Sequence, residues 1–309
     1  MMNNLRVLGV DIGGSHITSA AVNVGDLSIV PATVHTVDVD NKASKKSILE
    51  RWSRCINQTL QSASIKERAM LGFAMPGPFH YKTGLAMFEG NDKYENLYNV
   101  SIPDELKELI NTPDVDFRFM NDATAFGVGA ASMGKAKNYS KVIAVTLGTG
   151  FGSAFLKDGA PQVIGNDVPE GGCFWYKPYK EGIADDYFST RWCIRRYDQL
   201  SSRKVKGVKE IAEVADKHAL MVFREFGENM AEFIAPFLKL HGTELVILGG
   251  NISNAHPFFL PVLEASIREA GLSVDFVISD LMEDAAIIGS AKLFRPDFWD
   301  LVKDELPNL

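Results

Sequence analysis

The sequence predicts an α/β protein of two similar halves, each built on its own sheet, and three observations carry that reading. The order strand, glycine turn, strand, turn occurs twice, once after residues 5–10 and again from Lys141-Val142-Ile143-Ala144-Val145-Thr146-Leu147 through Gly148-Thr149-Gly150-Phe151-Gly152 to Ser153-Ala154-Phe155-Leu156. A third glycine turn, Gly249-Gly250-Asn251, closes the apolar run 244–248. Stretches of helical periodicity lie between these units.

Taken in order, residues 5–10 read as a short buried strand that ends in Asp11-Ile12-Gly13-Gly14-Ser15. Residues 17–24 and 28–37, rich in β-branched side chains and separated by Gly25-Asp26, continue it as an antiparallel meander. In 47–61 the residues Ile48, Leu49, Trp52, Ile56 and Leu60 fall on one helical face. Met75-Pro76-Gly77-Pro78 and Asn111-Thr112-Pro113 punctuate loops. A strand at 117–120 leads into Asn121-Asp122 and a helix start at Ala123-Thr124-Ala125. Residues 223–240 form a second helix that Pro236 is expected to kink or shorten. The halves are expected at 1–119, with 289–309 packing back on it, and at 120–288, facing one another across a cleft.

Composition narrows the function. The chain of 309 residues has length for two domains, with 46% hydrophobic and 23% charged residues, as in soluble globular proteins. Lys and Arg number 32 against 39 Asp and Glu, a net charge of -7, which offers no general attraction for nucleic acid. The three cysteines, Cys55, Cys173 and Cys193, are too few and scattered for a disulfide framework or a four-cysteine zinc site. Neither a signal peptide nor a membrane-spanning run is read, so the expectation is a soluble cytoplasmic protein without a membrane partner.

A glycine turn at a strand end presents backbone N–H groups with no Cβ in the way, which suits an anion such as phosphate; a plain hairpin turn is the alternative for any single one. Neither a G-x-x-x-x-G-K-[ST] loop nor a helix-opening G-x-G-x-x-G is present. Asp11 can hold Mg2+ through water or merely cap its turn. Asp122, at the carboxyl end of a strand, can accept the proton of an attacking hydroxyl while Asn121 orients the substrate; equally, the pair can serve as a helix N-cap.

Asp11-Ile12-Gly13-Gly14-Ser15, Met75-Pro76-Gly77-Pro78, Asn121-Asp122-Ala123, Leu147-Gly148-Thr149-Gly150-Phe151-Gly152, Glu170-Gly171-Gly172 and Leu248-Gly249-Gly250 together resemble, in order, the ROK family of sugar kinases and repressors. More distantly the chain resembles the actin and heat-shock ATPases. The resemblance implies a duplicated ribonuclease H-like fold with its active site in the cleft between domains. It assigns Asp11, Gly13, Gly14 and Ser15 to a first phosphate loop, Thr146, Gly148, Thr149 and Gly150 to a second, and Gly249, Gly250 and Asn251 to the adenosine. Asp122 resembles the family's catalytic base, while Asn121, Glu170 and Gly77 match sugar-site positions. The implied reaction is transfer of the γ-phosphoryl group of ATP, with Mg2+, to a sugar hydroxyl. The resemblance leaves room for a homodimer.

The chain departs from the family at its zinc site. Glu170-Gly171-Gly172-Cys173 stands where Glu-x-Gly-His is usual, and the following stretch to Ile183 contains no cysteine, so no zinc is expected. Phe174, Trp175, Tyr176 and Tyr179 either pack where zinc otherwise holds the loop or simply cover a helix. Asp185 aligns where a sugar-binding Glu is usual, with Asp186 leaving the register open. His16 stands where Lys is frequent, and reads alternatively as the first residue of the next strand.

The leading reading is an ATP-dependent kinase of hexoses or related sugars. A DNA-binding repressor is disfavoured because only ten residues precede Asp11, and net acidity adds to this. Two alternatives remain: a sugar or nucleotide binder without turnover, and a polyphosphate-dependent glucokinase, for which the cluster of Lys204, Lys206 and Lys209 is a small signal.

Overall fold

A computed structural model of the chain describes residues 5–90 and 93–305; the outer ends of the expected first half, 1–4 and 306–309, lie outside the described residues. Two units emerge, one reaching to Met133 and resuming at Glu283, the other spanning Gly134–Met282.

Unit 1 opens with β1 (Arg6–Ile12), whose almost unbroken burial explains its continuous apolar run. β2 (His16–Asn23) returns antiparallel beside it, so His16 is indeed the first residue of that strand. The stretch expected as one strand at 28–37 is two, β3 (Ser28–Ile29) and β4 (His35–Asp38), each pairing with β2 and separated by a 3-10 turn at Pro31–Thr33. Pro31 has no N–H for a ladder, which breaks the strand there. α1 (Lys45–Ser62) buries Ile48, Leu49, Trp52, Ile56 and Leu60, and Ser44 caps its start by accepting from the Ser47 N–H. β5 (Arg68–Met75) lies parallel to β1. A small sheet follows from β6 (Phe79–His80), β7 (Leu85–Ala86) and β8 (Val100–Ser101), then α2 (Ile102–Lys107). β9 (Asp114–Asn121) runs parallel to β5 and passes directly into α3 (Asp122–Ser132).

Unit 2 repeats the plan. β10 (Lys141–Leu147), β11 (Phe151–Lys157) and β12 (Ala160–Pro161) form the antiparallel part. β13 (Pro178–Tyr179) and β14 (Gly182–Ile183) pair as a hairpin, followed by α4 (Ala184–Tyr187), α5 (Thr190–Ser201), α6 (Val208–Val214) and α7 (Lys217–His241). β15 (Leu245–Gly249), α8 (His256–Glu269) and β16 (Asp275–Ile278) complete the unit. The sheet orders, β3-β2-β1-β5-β9 and β12-β11-β10-β15-β16, correspond strand for strand, each an antiparallel edge followed by parallel strands. Pro236 does not shorten α7, which continues to His241 and ends on Gly242 in the left-handed region. Phe233, Ile234 and Leu238 are buried on either side of the proline, and that packing outweighs the one backbone bond it removes.

The chain then re-enters unit 1 with α9 (Asp284–Lys292) and α10 (Pro296–Val302). Added Cβ atoms on Gly9 of β1 and Gly72 of β5 would collide with the backbone carbonyls of Ile287 and Ser290, so glycine lets α9 lie directly on the sheet. Gly289 of α9 and Gly129 of α3 meet in the same way, against the carbonyls of Ala125 and Ala285. α10 is held by the Arg118 guanidinium, which sits 4.5 Å from the ring centre of Phe294 and 4.1 Å from that of Trp299, and donates to the Leu293 carbonyl. The sequence places the crossings after Phe119 and before Gly289; the structure has them after Met133 and before Glu283, because α3 and α9 pack on one another and on the first sheet.

Candidate active site

In unit 1 three parallel strands, β1, β5 and β9, end side by side; their carboxyl ends carry Asp11 and Asn121, with Gly77 and Asp122 just beyond β5 and β9. Asp11 sits one residue before the end of β1, beside Ala74 of β5. The turn after it closes with the Gly13 N–H donating to the His16 carbonyl at 2.9 Å. The loop's carbonyls are braced from outside. Tyr94 donates its hydroxyl to the Gly13 carbonyl at 2.6 Å, the Asn41 amide donates to that of Gly14, and the Val39 N–H donates to that of Ser15 at 2.8 Å. With its carbonyls tied back, the turn is fixed as a rigid rim.

Asp122 opens α3, and its carboxylate accepts from the Ala123 N–H at 2.8 Å. Asn121 is the cap: its side-chain oxygen accepts from the N–H groups of Ala123 and Thr124, and its amide donates to the Tyr81 hydroxyl at 3.1 Å. The cap reading is thus correct for Asn121, which leaves the Asp122 carboxylate as the variable group. Tyr81 in turn donates to the Met75 carbonyl and stands beside Gly77, linking that loop to Asn121.

The electrostatics of this edge are strongly negative. Asp11 and Asp122 keep some solvent contact, yet dense protein around them makes ionisation costly. Burial foremost, then the charges of Asp122 and Glu283, pushes Asp11 up to about 7. Burial also raises Asp122, against the Ala123 N–H and the ammonium of Lys93, which favour its ionised form. His16 reaches Glu283 at 3.9 Å. Among the described residues no three or more His, Cys, Asp and Glu side chains converge as metal ligands. A cation here would therefore keep most of its water, and the excess of carboxylates around Asp11 fits hydrated Mg2+.

In unit 2 the glycine turn 148–150 follows β10 and the turn 249–251 follows the neighbouring parallel strand β15, Thr146 pairing with Gly249. The Gly148 N–H donates to the Gly150 carbonyl at 3.0 Å, while Thr190, the first residue of α5, donates both its N–H and its hydroxyl to the Gly148 carbonyl. Around Gly148 there is open space where a side chain would stand, the cradle expected of a phosphate loop. Gly250, with φ +81°, lies against the backbone of Leu147, so no other residue fits. Asn251 begins a short 3-10 turn and its side chain is exposed.

Asp185 is engaged at this turn. It accepts from the Phe151 N–H at 2.7 Å and pairs with Arg191 at 2.7 Å, and Arg191 also donates to the Thr149 carbonyl. The sequence reading of Asp185 as a sugar ligand has to contend with both oxygens being occupied. Glu170 is exposed in a 3-10 turn, and its carbonyl accepts from the Tyr176 hydroxyl. Phe174 is fully buried against Phe151, Phe155, Phe233 and Phe237, and Tyr179 packs on Phe188 and Phe233. The aromatic residues of the shortened loop therefore divide: Phe174 and Tyr179 anchor it, while Trp175 is exposed.

Lys93, Tyr81, Tyr94, Glu283, Thr190 and Arg191 escaped the sequence reading. None of them falls within a glycine turn or motif that the sequence marks.

The ROK family matches residues 7–296, and the chain belongs to it. A glucokinase of Thermotoga maritima is 26% identical, over 95% of this chain and 98% of that protein. A xylose repressor of Bacillus spizizenii is 20% identical over 96% of this chain and 78% of its own length. Among solved structures, a ROK family glucokinase from Streptomyces griseus in complex with glucose and AMPPNP superposes with a TM-score of 0.75, covering 94% of this chain and 99% of that one at 19% identity. The fold is accordingly the actin-like ATPase fold of ROK kinases. No helix among the described residues is long and apolar enough to cross a membrane.

Proposed function

We propose that the chain is an ATP-dependent kinase that phosphorylates a hydroxyl of a hexose or related sugar, with Asp122 as general base. The observation that carries this reading is the Asp122 carboxylate at the end of β9, raised by burial and sharing one sheet edge with Asp11 and the braced glycine turn. A pure binder has no need of a second buried carboxylate there. The names of its kinase relatives support the same activity.

Asp122 takes the hydroxyl proton as the sugar oxygen attacks, and its raised proton affinity suits that task. Asn121 fixes the start of α3 and so the direction of that carboxylate. The N–H groups of the glycine turns bind phosphate oxygens, and Asp11 would hold a hydrated Mg2+, which would supply charge neutralisation at the phosphates. The adenosine falls to Gly249, Gly250 and Asn251.

The test is a panel of monosaccharides, N-acetylhexosamines among them, with ATP or polyphosphate as donor, run on the parent and Asp122→Asn. The expected result is ATP-dependent phosphorylation of at least one sugar, reduced roughly 10²- to 10⁴-fold in Asp122→Asn. Undiminished turnover in the variant removes the base, and sugar binding with no turnover from either donor favours the silent binder.

A further inference from the structure

The sheet edge of unit 1 poses an electrostatic problem for its own proposed reaction. The charges of Asp122 and Glu283 both act on Asp11 there, and a phosphoryl group entering the glycine turn would bring further negative charge to the edge. Glycine-turn N–H groups are dipoles without a net charge, and a hydrated cation at Asp11 would act on the phosphates through its water. A cation between the turn and the base is what the chemistry still lacks.

Lys93 reaches the first glycine turn. A Cβ built on Gly14 would stand 3.7 Å from its Cε and 4.0 Å from its Nζ, so the end of the side chain lies directly over the open face of the first glycine turn. The same ammonium acts on Asp122 and favours the ionised carboxylate. Its backbone neighbour Tyr94 is the residue whose hydroxyl holds the Gly13 carbonyl, with its ring edge-on to Trp52 at 5.4 Å in the core of the unit. The segment that delivers Lys93 is thereby tied to the very turn it overhangs. His16, the nearer basic side chain in sequence, lies against Gly13 with its ring nitrogen also 3.9 Å from the Glu283 carboxylate, so Glu283 competes for any positive charge it carries.

We propose that Lys93 is a catalytic residue that binds the transferred phosphoryl group, bridging the Gly13-Gly14 turn and Asp122. This rests on the kinase reading above. The bond from the phosphorus to the bridging oxygen of the nucleoside diphosphate breaks as the bond to the sugar oxygen forms. The hydroxyl proton passes to Asp122, and Lys93 keeps its own proton throughout while its charge offsets that on the equatorial oxygens.

Two measurements test it, on the whole chain. In steady-state kinetics Lys93→Met should lower kcat roughly 10²-fold or more, with the sugar KM within about 2-fold of the parent, and Lys93→Arg should recover most of the loss. A Lys93→Met kcat within about 3-fold of the parent overturns the assignment, with thermal melts confirming that the variant is folded. Calorimetric titration with inorganic pyrophosphate, which needs no turnover, reads the same contact. Binding by the parent weakened about 10-fold or more in Lys93→Met supports it; equal binding, or none by the parent, overturns it. A parent that binds pyrophosphate through Lys93 but phosphorylates no sugar defeats the kinase reading alone.

Discussion

Asp11 is a carboxyl group kept where its charge is unwelcome, and that has a measurable cost. In the unfolded chain it titrates near 3.8, in the fold at about 7, so between these values the folded state retains a proton that the unfolded state has lost. Stability is therefore fully present below about pH 4 and declines as pH rises toward 7. Asp11→Asn removes the ionisation, and the variant should melt higher than the parent by roughly 2–4 °C at pH 8 without Mg2+, the gap closing toward pH 4. Equal melting temperatures at pH 8 would show that the charge is tolerated there. The same substitution removes the proposed Mg2+ ligand, so gain in stability and loss of function are expected together. At this scale the sequence was readable where chemistry is local: Asp11 and Asp122 follow apolar strands directly. Lys93 and Glu283 reach the same edge from 80 and 270 residues along the chain, and nothing in their neighbours marks them.

Among the elements, α3 and α9 are the pair on which unit 1 depends; the sequence shows where α3 begins but not that both helices belong to unit 1. Their sequences, DATAFGVGAAS and DAAIIGSAK, are small and apolar nearly all round, so no polar face announces a surface helix and the domain boundaries were set inside or before them. By contrast α1, with its one-sided apolar stripe, was placed to within two residues. Gly289→Ala tests the crossing. In an exposed helix the change would add about 1 kcal/mol of stability, but here the new methyl meets the Ala125 carbonyl, helix backbone that cannot rotate away. Overpacking of that kind costs about 1–3 kcal/mol. A lower urea midpoint is expected; an unchanged or raised one would mean that the helices part easily. Unit 2 has its counterpart in Phe174, fully buried against Phe151, Phe155, Phe233 and Phe237. Phe174→Ala should cost about 3–5 kcal/mol, whereas a zinc chelator should leave the parent's melting temperature where it was.

For the molecule as a whole, two sheets of matching order with separate cores predict two calorimetric transitions rather than one. Gly289→Ala should lower one and Phe174→Ala the other; a single transition shifted equally by both would show one cooperative body. The duplication itself was legible because a strand closed by a glycine turn is a local pattern and survives repetition in sequence. Which sugar is bound was not legible, because Glu170 is exposed and Asp185 is committed to Arg191 and the Phe151 N–H.

The seating of α9 on Gly9 and Gly72 also sets an order of events during synthesis. β1 leaves the ribosome about 270 residues ahead of α9, the helix that covers it, while unit 2 emerges whole in between. The nascent chain must carry a bare, glycine-lined trough throughout the synthesis of unit 2, an invitation to chaperones or to premature pairing with another chain.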